Sequence, residues 1–333
     1  MKQRNVEEVA IGIDISKAYF DVAYEKNGVV QHQRFSNNKV GFRSMKKWLR
    51  KRKISMAHFA MEATGRYGLP LAKFLYAQGY AVSIVNPRQI KAYRESWLIR
   101  NKTDAADALL IAAFCREREL LHWQPPAPEV EALQNMERRK GMLQKMKTME
   151  INRLKSGKQA SVVEASIKRT LRHLDKEIAR IEQEMEKLTQ CHASIQNEVA
   201  LLTSIPGVGD HTAFLLIGEV KDITYFSSGP ALAAYAGVTA RIHESGDTVR
   251  KKPKMSKVGN ARLRAGLYFS TMSAMQHNPV IKTFAQRLKA QGKPGKVILI
   301  ACMRKLLHII YGVWRSGKPF DPEYEQRLLT SST

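Results

Sequence analysis

The stretch Val9-Ala10-Ile11-Gly12-Ile13-Asp14 reads as a buried β-strand that ends on a carboxylate. A short apolar run of this kind suits a strand covered on both faces. Downstream, residues 19–24 and 29–35 are two more strand-like runs flanking Lys26-Asn27-Gly28. Asn-Gly is the pair that two-residue hairpins favour, because both turn positions need positive φ. Residues 38–53 then predict a basic amphipathic helix, and 58–61 a short strand reaching Glu62. Residues 69–78 predict a helix stopped by Gly79, and 81–85 a buried strand stopped by Asn86-Pro87. A helix over about 103–119 follows. A strand hairpin followed by alternating helices and strands predicts an α/β mixed sheet with helices on both faces.

Charge narrows the partner. The 333 residues hold 55 Lys+Arg against 30 Asp+Glu, a formal net charge of +25. Such an excess predicts a polyanion, with nucleic acid ahead of an anionic membrane surface or a ribosome-type structural role. Cys115, Cys191 and Cys302 are too scattered for a zinc pattern or a disulfide scaffold, which fits a reducing, cytoplasmic setting. The first residues, MKQRNVEEVAIGID, carry no apolar signal region. The apolar stretch 297–313 is interrupted by Arg304, Lys305 and His308. It reads as a buried helix with one wet side, not as a membrane span.

Pro125, Pro126 and Pro128 punctuate the end of the first region. Beyond them Ile167, Leu171, Leu174, Ile178, Ile181, Met185 and Leu188 step by four and three in alternation, a heptad seam. Leu133, Met136, Leu143 and Met146 repeat the pattern more weakly, and 155–161 is a candidate turn. Two readings stay open: a helical hairpin packed on its own chain, or pairing between chains. From about residue 200 the chain reads as globular again.

Four carboxylates carry the first chemical signal. Asp14 and Glu62 end strands, and strand ends of an open sheet meet at one edge. Asp104 and Asp107 are three apart in a predicted helix and share a face. Oxygen-only ligands favour Mg²⁺ or Mn²⁺. Two such ions, about 3.5–4 Å apart, clamp the attacking and leaving oxygens of a phosphodiester. The plainer reading makes each acid a helix cap or a solvated surface group, since acids suit a helix start in any case.

Two further segments point to phosphate. Ile205-Pro206-Gly207-Val208-Gly209, followed by His211-Thr212-Ala213, has a helix-hairpin-helix pattern. There Gly207 and Gly209 let backbone approach a phosphate, unless the hairpin is only a packing turn. Farther on, Ser245 sits among Arg250, Lys251, Lys252, Lys254, Lys257, Arg262 and Arg264. A hydroxyl beside many cations is a candidate nucleophile at phosphorus, since the cations stabilise the transition-state charge. Serine before glycine is also an ordinary turn. His243 is placed to act as a base if the segment is a strand, and otherwise reads as a structural histidine.

Taken in order, Ile11-Gly12-Ile13-Asp14, Met61-Glu62-Ala63-Thr64-Gly65, Arg100-Asn101-Lys102-Thr103-Asp104-Ala105-Ala106-Asp107-Ala108, Ser204-Ile205-Pro206-Gly207-Val208-Gly209, Glu244-Ser245-Gly246 and Met255-Ser256-Lys257 resemble the DEDD transposases of the insertion sequence 110 family, the bridge-RNA-guided recombinases. Gly295-Lys296-Val297-Ile298-Leu299 and Met303-Arg304-Lys305-Leu306 also fit, so the resemblance covers nearly the whole chain.

The resemblance implies a RuvC-like, RNase H-fold domain over 1–125, a helical coiled-coil connector over 126–195 and a mainly helical transposase domain over 196–333. It implies Mg²⁺ on Asp14, Glu62, Asp104 and Asp107, and Ser245 as the nucleophile that forms a phosphoserine link to DNA. It further implies a composite site shared between protomers of a dimer or tetramer. A structured guide (bridge) RNA would pair with donor and target double-stranded DNA, leaving the protein to read backbone shape. Lys102 joins the phosphate-contact candidates on this view. The setting implied is cytoplasmic and nucleoid-associated, with no membrane. Two rivals remain: a RuvC-like junction resolvase using the carboxylates alone, and a non-catalytic nucleic-acid-binding protein.

Overall fold

A computed structural model describes residues 8–63, 65–97, 103–157, 159–245 and 249–323, with backbone alone at 241–245 and 249–254. The chain forms two compact units, Met1–Pro125 and Pro126–Thr333.

The first unit is built on a five-stranded sheet. Its strands are β1 (Val9–Ile15), β2 (Tyr19–Lys26), β3 (Val29–Ser36), β4 (Ala57–Glu62) and β5 (Ala81–Val85), in the order β3-β2-β1-β4-β5. The β1–β2 and β2–β3 pairs are antiparallel, and β1–β4 and β4–β5 are parallel. This is the expected mixed sheet, and its order is compatible with an RNase H-like domain. Asn27 and Gly28 both adopt positive φ, 52° and 75°, as the Asn-Gly signal requires.

Helices α1 (Lys39–Lys51) and α2 (Leu69–Ala77) cover one face. Asn38 caps α1, accepting from the Val40 and Gly41 amides at 3.0 Å each. Phe42, Met45 and Leu49 of α1 and Leu71 and Leu75 of α2 bury against Ile11, Ile13, Phe20 and Phe59. The other face carries α3 (Pro87–Ser96) and α4 (Asp104–Glu117), which pack Ile90, Tyr93, Ile111 and Phe114 near Ala60 and Val85.

Helix α3 corrects the sequence reading. Asn86-Pro87 ends β5 as expected, but the same pair also starts a helix. The Asn86 side chain accepts from the Arg88 amide at 2.9 Å, and Pro87 sits at the first helical position, where no amide partner is needed.

The second unit is mainly helical. Helices α5 (Pro128–Lys155) and α6 (Ser161–Cys191) lie side by side as a helical hairpin. Ile167, Leu174 and Met185 of the heptad seam are buried, as are Leu133 and Leu143 of α5. Leu171, Ile178, Ile181 and Leu188 of the seam are half-buried. Leu133 and Met185 also belong to the core of the helices that follow, so the hairpin and the C-terminal part share one core.

That core is centred on α8 (Asp210–Val220), whose residues 212–220 are all buried. Around it lie α7 (Ala193–Thr203), α9 (Gly229–Ala236), α10 (Ala261–His277), α11 (Pro279–Ala290) and α12 (Gly295–Ser316). By length and composition α12 would suffice to cross a membrane. It packs instead against α7, α9, α10 and α11, burying eight side chains including Leu306, Leu307 and Trp314, as a core helix does. Between α9 and α10 the strands β6 (Ala240–Ser245) and β7 (Val249–Met255) form an antiparallel two-stranded ribbon.

Candidate active site

Parallel pairing places β1 and β4 side by side, with Gly12 opposite Ala60 and Ile13 opposite Met61. Strand alternation then puts Ala10, Gly12 and Asp14 on the face opposite buried Ile11 and Ile13. Ala60 and Glu62 share that face on β4. Both strands end at one edge, so Asp14 and Glu62 come together there.

Helix α4 crosses this face at unusually close range, and Gly12 is the reason. A Cβ at Gly12 would lie 1.9 Å from the Ala108 carbonyl oxygen and 2.3 Å from the Ala112 amide nitrogen. Only a residue without a side chain lets the α4 backbone sit here. Thr103 caps the helix, its hydroxyl accepting from the Ala106 amide at 3.2 Å. The first turn therefore delivers Asp104 and Asp107 toward Asp14.

The electrostatics report the convergence. Burial, followed by the charges of Asp107, Asp104, Asp21 and Glu62, pushes the Asp14 carboxyl up to about 6. Asp14 thus senses four other acids, which makes a group of five, one more than the sequence singled out. The fifth, Asp21, stands directly across the β1–β2 ladder from Asp14 and is 4% exposed. It hydrogen-bonds to His32 Nε2 at 2.6 Å and pairs with Arg34, whose Nε donates at 3.0 Å. Arg34 also reaches Asp104 through its terminal nitrogen. Arg94 of α3 holds Asp107 at 2.6 Å.

Hard oxygen donors of this kind suit Mg²⁺ or Mn²⁺. In the arrangement just described, no three His, Cys, Asp or Glu side chains among the described residues come close enough to hold one ion. The donor set fits the ion in chemistry and in charge, while the two α4 carboxylates are engaged by arginines. A cavity of about 490 Å³ lies elsewhere, lined by Val9, His58, Trp97 and Arg116 at the starting end of β1. The carboxylates, by contrast, lie at an open edge that a long polymer can reach, Asp104 being 62% exposed.

The second unit carries the serine segment. Ser245 ends β6, with Val249 opposite it on β7. Arg250, Lys251, Lys252 and Lys254 lie on β7. The side chains of these residues and of His243 lie outside the described set, as does all of Lys102.

The root of the ribbon is firmly built. Glu219 of α8 is 5% exposed and receives a two-pronged pair from Arg138 of α5, at 2.8 and 3.1 Å. Asn260, which caps α10, donates to the same carboxylate at 2.8 Å. Burial alone would raise the Glu219 pKa, but Arg138 and Asn260 outweigh it and hold the group below its usual value. The Ser256 and Lys257 amides bond to the Thr239 and Gly237 carbonyls at 2.9 and 3.2 Å, closing the ribbon's base.

Other phosphate candidates divide. Lys257 and Arg262 are exposed near the start of α10. Arg264 donates to the Ala236 carbonyl at 3.0 Å, which makes it a strut between α9 and α10. Gly207 has φ 98°, and a Cβ there would lie 2.5 Å from the Ala274 amide nitrogen, so close packing on α10 explains this glycine. Gly209 faces open space just before α8, at a helix start that no side chain caps, where backbone amides can meet an anion.

Comparison with known proteins gives two family matches along the chain. Residues 11–160 match a transposase family model of the IS110 DEDD type, and 199–286 match the transposase IS116/IS110/IS902 family. The pilin gene-inverting protein of Moraxella bovis is 33% identical over 318 residues, covering 93% of this chain and 97% of that one. A probable family 20 transposase of Pseudomonas aeruginosa is 23% identical, covering 91% and 96%. The transposase for insertion sequence element IS1111A of Coxiella burnetii is 25% identical, covering 65% of each.

Proposed function

Because the chain belongs to the IS110 family of transposases and is a DNA transposase or recombinase, we propose that it cuts and rejoins DNA through a phosphoserine link at Ser245, assisted by a divalent cation on Asp14, Glu62, Asp104 and Asp107. The observation that carries this reading is the convergence of the acids at one sheet edge, where Gly12 lets α4 close on β1. A second support is the braced ribbon that ends β6 on Ser245 amid a run of lysines and arginines.

The chemistry is a transesterification. The Ser245 oxygen bonds to phosphorus while the bond from phosphorus to a deoxyribose oxygen breaks. The serine proton passes through solvent to that departing oxygen. A bound cation would stabilise the charge that develops on the phosphoryl oxygens. Lys257 and Arg262 would add fixed positive charge nearby. Because the phosphate ester is kept, the reverse step rejoins strands without an external energy source. Such cut-and-rejoin chemistry is what gene inversion needs, and the Moraxella bovis relative is named for inverting a pilin gene.

The acids fall in the first compact unit and Ser245 in the second, which suits a centre assembled from two chains of a dimer or tetramer. The excess of 25 positive charges suits a structured guide RNA as well as DNA. In that scheme base pairing selects the sequence, and the protein tracks backbones.

The test uses end-labelled DNA, the chain with its copurified RNA, and Mg²⁺. Wild type should give a protein–DNA adduct on a denaturing gel, and Ser245→Ala none. Cleavage with no adduct in either protein would favour a carboxylate-only resolvase. Sequencing the copurified RNA tests the guide: a discrete noncoding species supports it, and random cellular RNA counts against it.

A further inference from the structure

Resting on the reading that these carboxylates bind a divalent cation, we propose that Arg34 and Arg94 are the built-in counter-ions of the cation-free site. Each holds one α4 carboxylate until a cation displaces it. The placement of Arg34 is set by strand register. Asp14, Asp21 and Arg34 stand opposite one another on β1, β2 and β3, forming one row across the sheet. Buried Asp21 grips the guanidinium, taking Nε at 3.0 Å and the terminal nitrogen at 3.0 Å. The same terminal nitrogen donates to Asp104. Arg94 approaches from α3 and meets Asp107 at 2.6 Å, with only 25% and 14% of the two side chains exposed.

Two independent facts fit this role. Acids clustered at a sheet edge repel one another, so a cation-free fold needs positive charge close by. In addition, no three acids among the described residues are gathered tightly enough to hold an ion, although four act on Asp14. Asp104 and Asp107, the two acids that α4 supplies, are each engaged by an arginine.

An ion pair made only in the cation-free state stabilises that state alone. It therefore lowers cation affinity by the same factor that it stabilises the empty site. The half-exposed Arg34–Asp104 pair is well screened, and the Arg94–Asp107 pair less so. The two arginines thus tune when the site loads.

The experiment is a Mn²⁺ titration of the full-length chain without nucleic acid, read by electron paramagnetic resonance of free Mn²⁺. Arg94→Gln should tighten Mn²⁺ binding about tenfold and Arg34→Gln about threefold. Both variants should unfold more easily than wild type in chelator, and that gap should close in excess Mn²⁺. A merely structural role would weaken binding and stability together. Arg116→Gln, which breaks a pair with Glu25 elsewhere on α4, should leave the affinity unchanged. If Arg34→Gln fails to fold because Asp21 loses its partner, Asp21→Asn/Arg34→Gln removes both charges and should still bind more tightly than Asp21→Asn. Unchanged or weaker Mn²⁺ binding in the arginine variants overturns the counter-ion role. Equal Mn²⁺ binding by wild type and Asp104→Asn/Asp107→Asn overturns the cation site itself, and this proposal with it.

Discussion

Replacing Gly12 with alanine adds one methyl group at the point where α4 meets β1. That methyl would lie 1.9 Å from the Ala108 carbonyl oxygen and 2.3 Å from the Ala112 amide nitrogen. Both obstacles are backbone, so no side-chain rotation relieves them. To reach ordinary contact, α4 must move off the sheet by about 1.5 Å. Overpacking of this kind costs about 2–3 kcal/mol. The same shift displaces Asp104 and Asp107 from Asp14, and a misplacement of about 1 Å at reacting groups costs roughly a hundredfold in rate.

Gly12→Ala should therefore fold at low temperature and still bind DNA, while forming adduct about a hundredfold more slowly. Urea unfolding followed by tryptophan fluorescence reads the stability, because Trp48, Trp97 and Trp123 all lie in the first unit. Adduct formation in single-turnover conditions reads the chemistry. Wild-type stability with wild-type rate would refute the argument that Gly12 sets the distance of α4 from the carboxylates.

Further expectations concern charge and assembly. The Asp14 carboxyl titrates near 6 in the fold against 3.8 unperturbed, so between those values the folded chain holds a proton that the unfolded chain has lost. Raising the pH through that window costs stability, at most about 3 kcal/mol and nearer 1 after screening at this half-exposed site. Asp14→Asn should accordingly be about 1 kcal/mol more stable than wild type at pH 7.5 in chelator and equal to it below pH 3.8, as urea melts would show; no gain at pH 7.5 would contradict the raised pKa. Arg138→Ala strands the buried Glu219 and should lower stability by about 3 kcal/mol in thermal melts, where a wild-type melting curve would show that the pair braces nothing. Mixing Ser245→Ala chains with Asp107→Asn chains should restore adduct that neither forms alone, if each centre draws on two chains; continued inactivity would place the acids and the serine of one centre on the same chain.

The sheet was legible because its signals are local. Asn27-Gly28 dictates the hairpin, and the apolar runs at 9–13 and 81–85 read directly as buried strands. The four acids could be picked out because strand ends and an i, i+3 helical pair are periodic features. Asp21 was not, since its significance lies in facing Asp14 across a ladder whose register depends on the whole hairpin. Arg94 was hidden by α3, where Asn86-Pro87 serves as both a strand stop and a helix start. The heptads of α6 are equally consistent with a partner chain or with α5, and α5 packs beside α6, where three of the seven seam residues, Ile167, Leu174 and Met185, are buried. Gly207 shows the converse: a glycine that fits a phosphate motif is required here by Ala274.

The central claim is that the sheet-edge acids and Ser245 form one catalytic centre. Its most direct test is peptide mass mapping of the adduct formed in Mg²⁺ by wild type, Asp14→Asn and Asp107→Asn, with DNA binding measured in parallel. The account predicts a nucleotide on the Ser245 peptide in wild type and none in either acid variant, at undiminished DNA binding. A nucleotide mapped to another residue, or full modification of Ser245 without the acids, would contradict it.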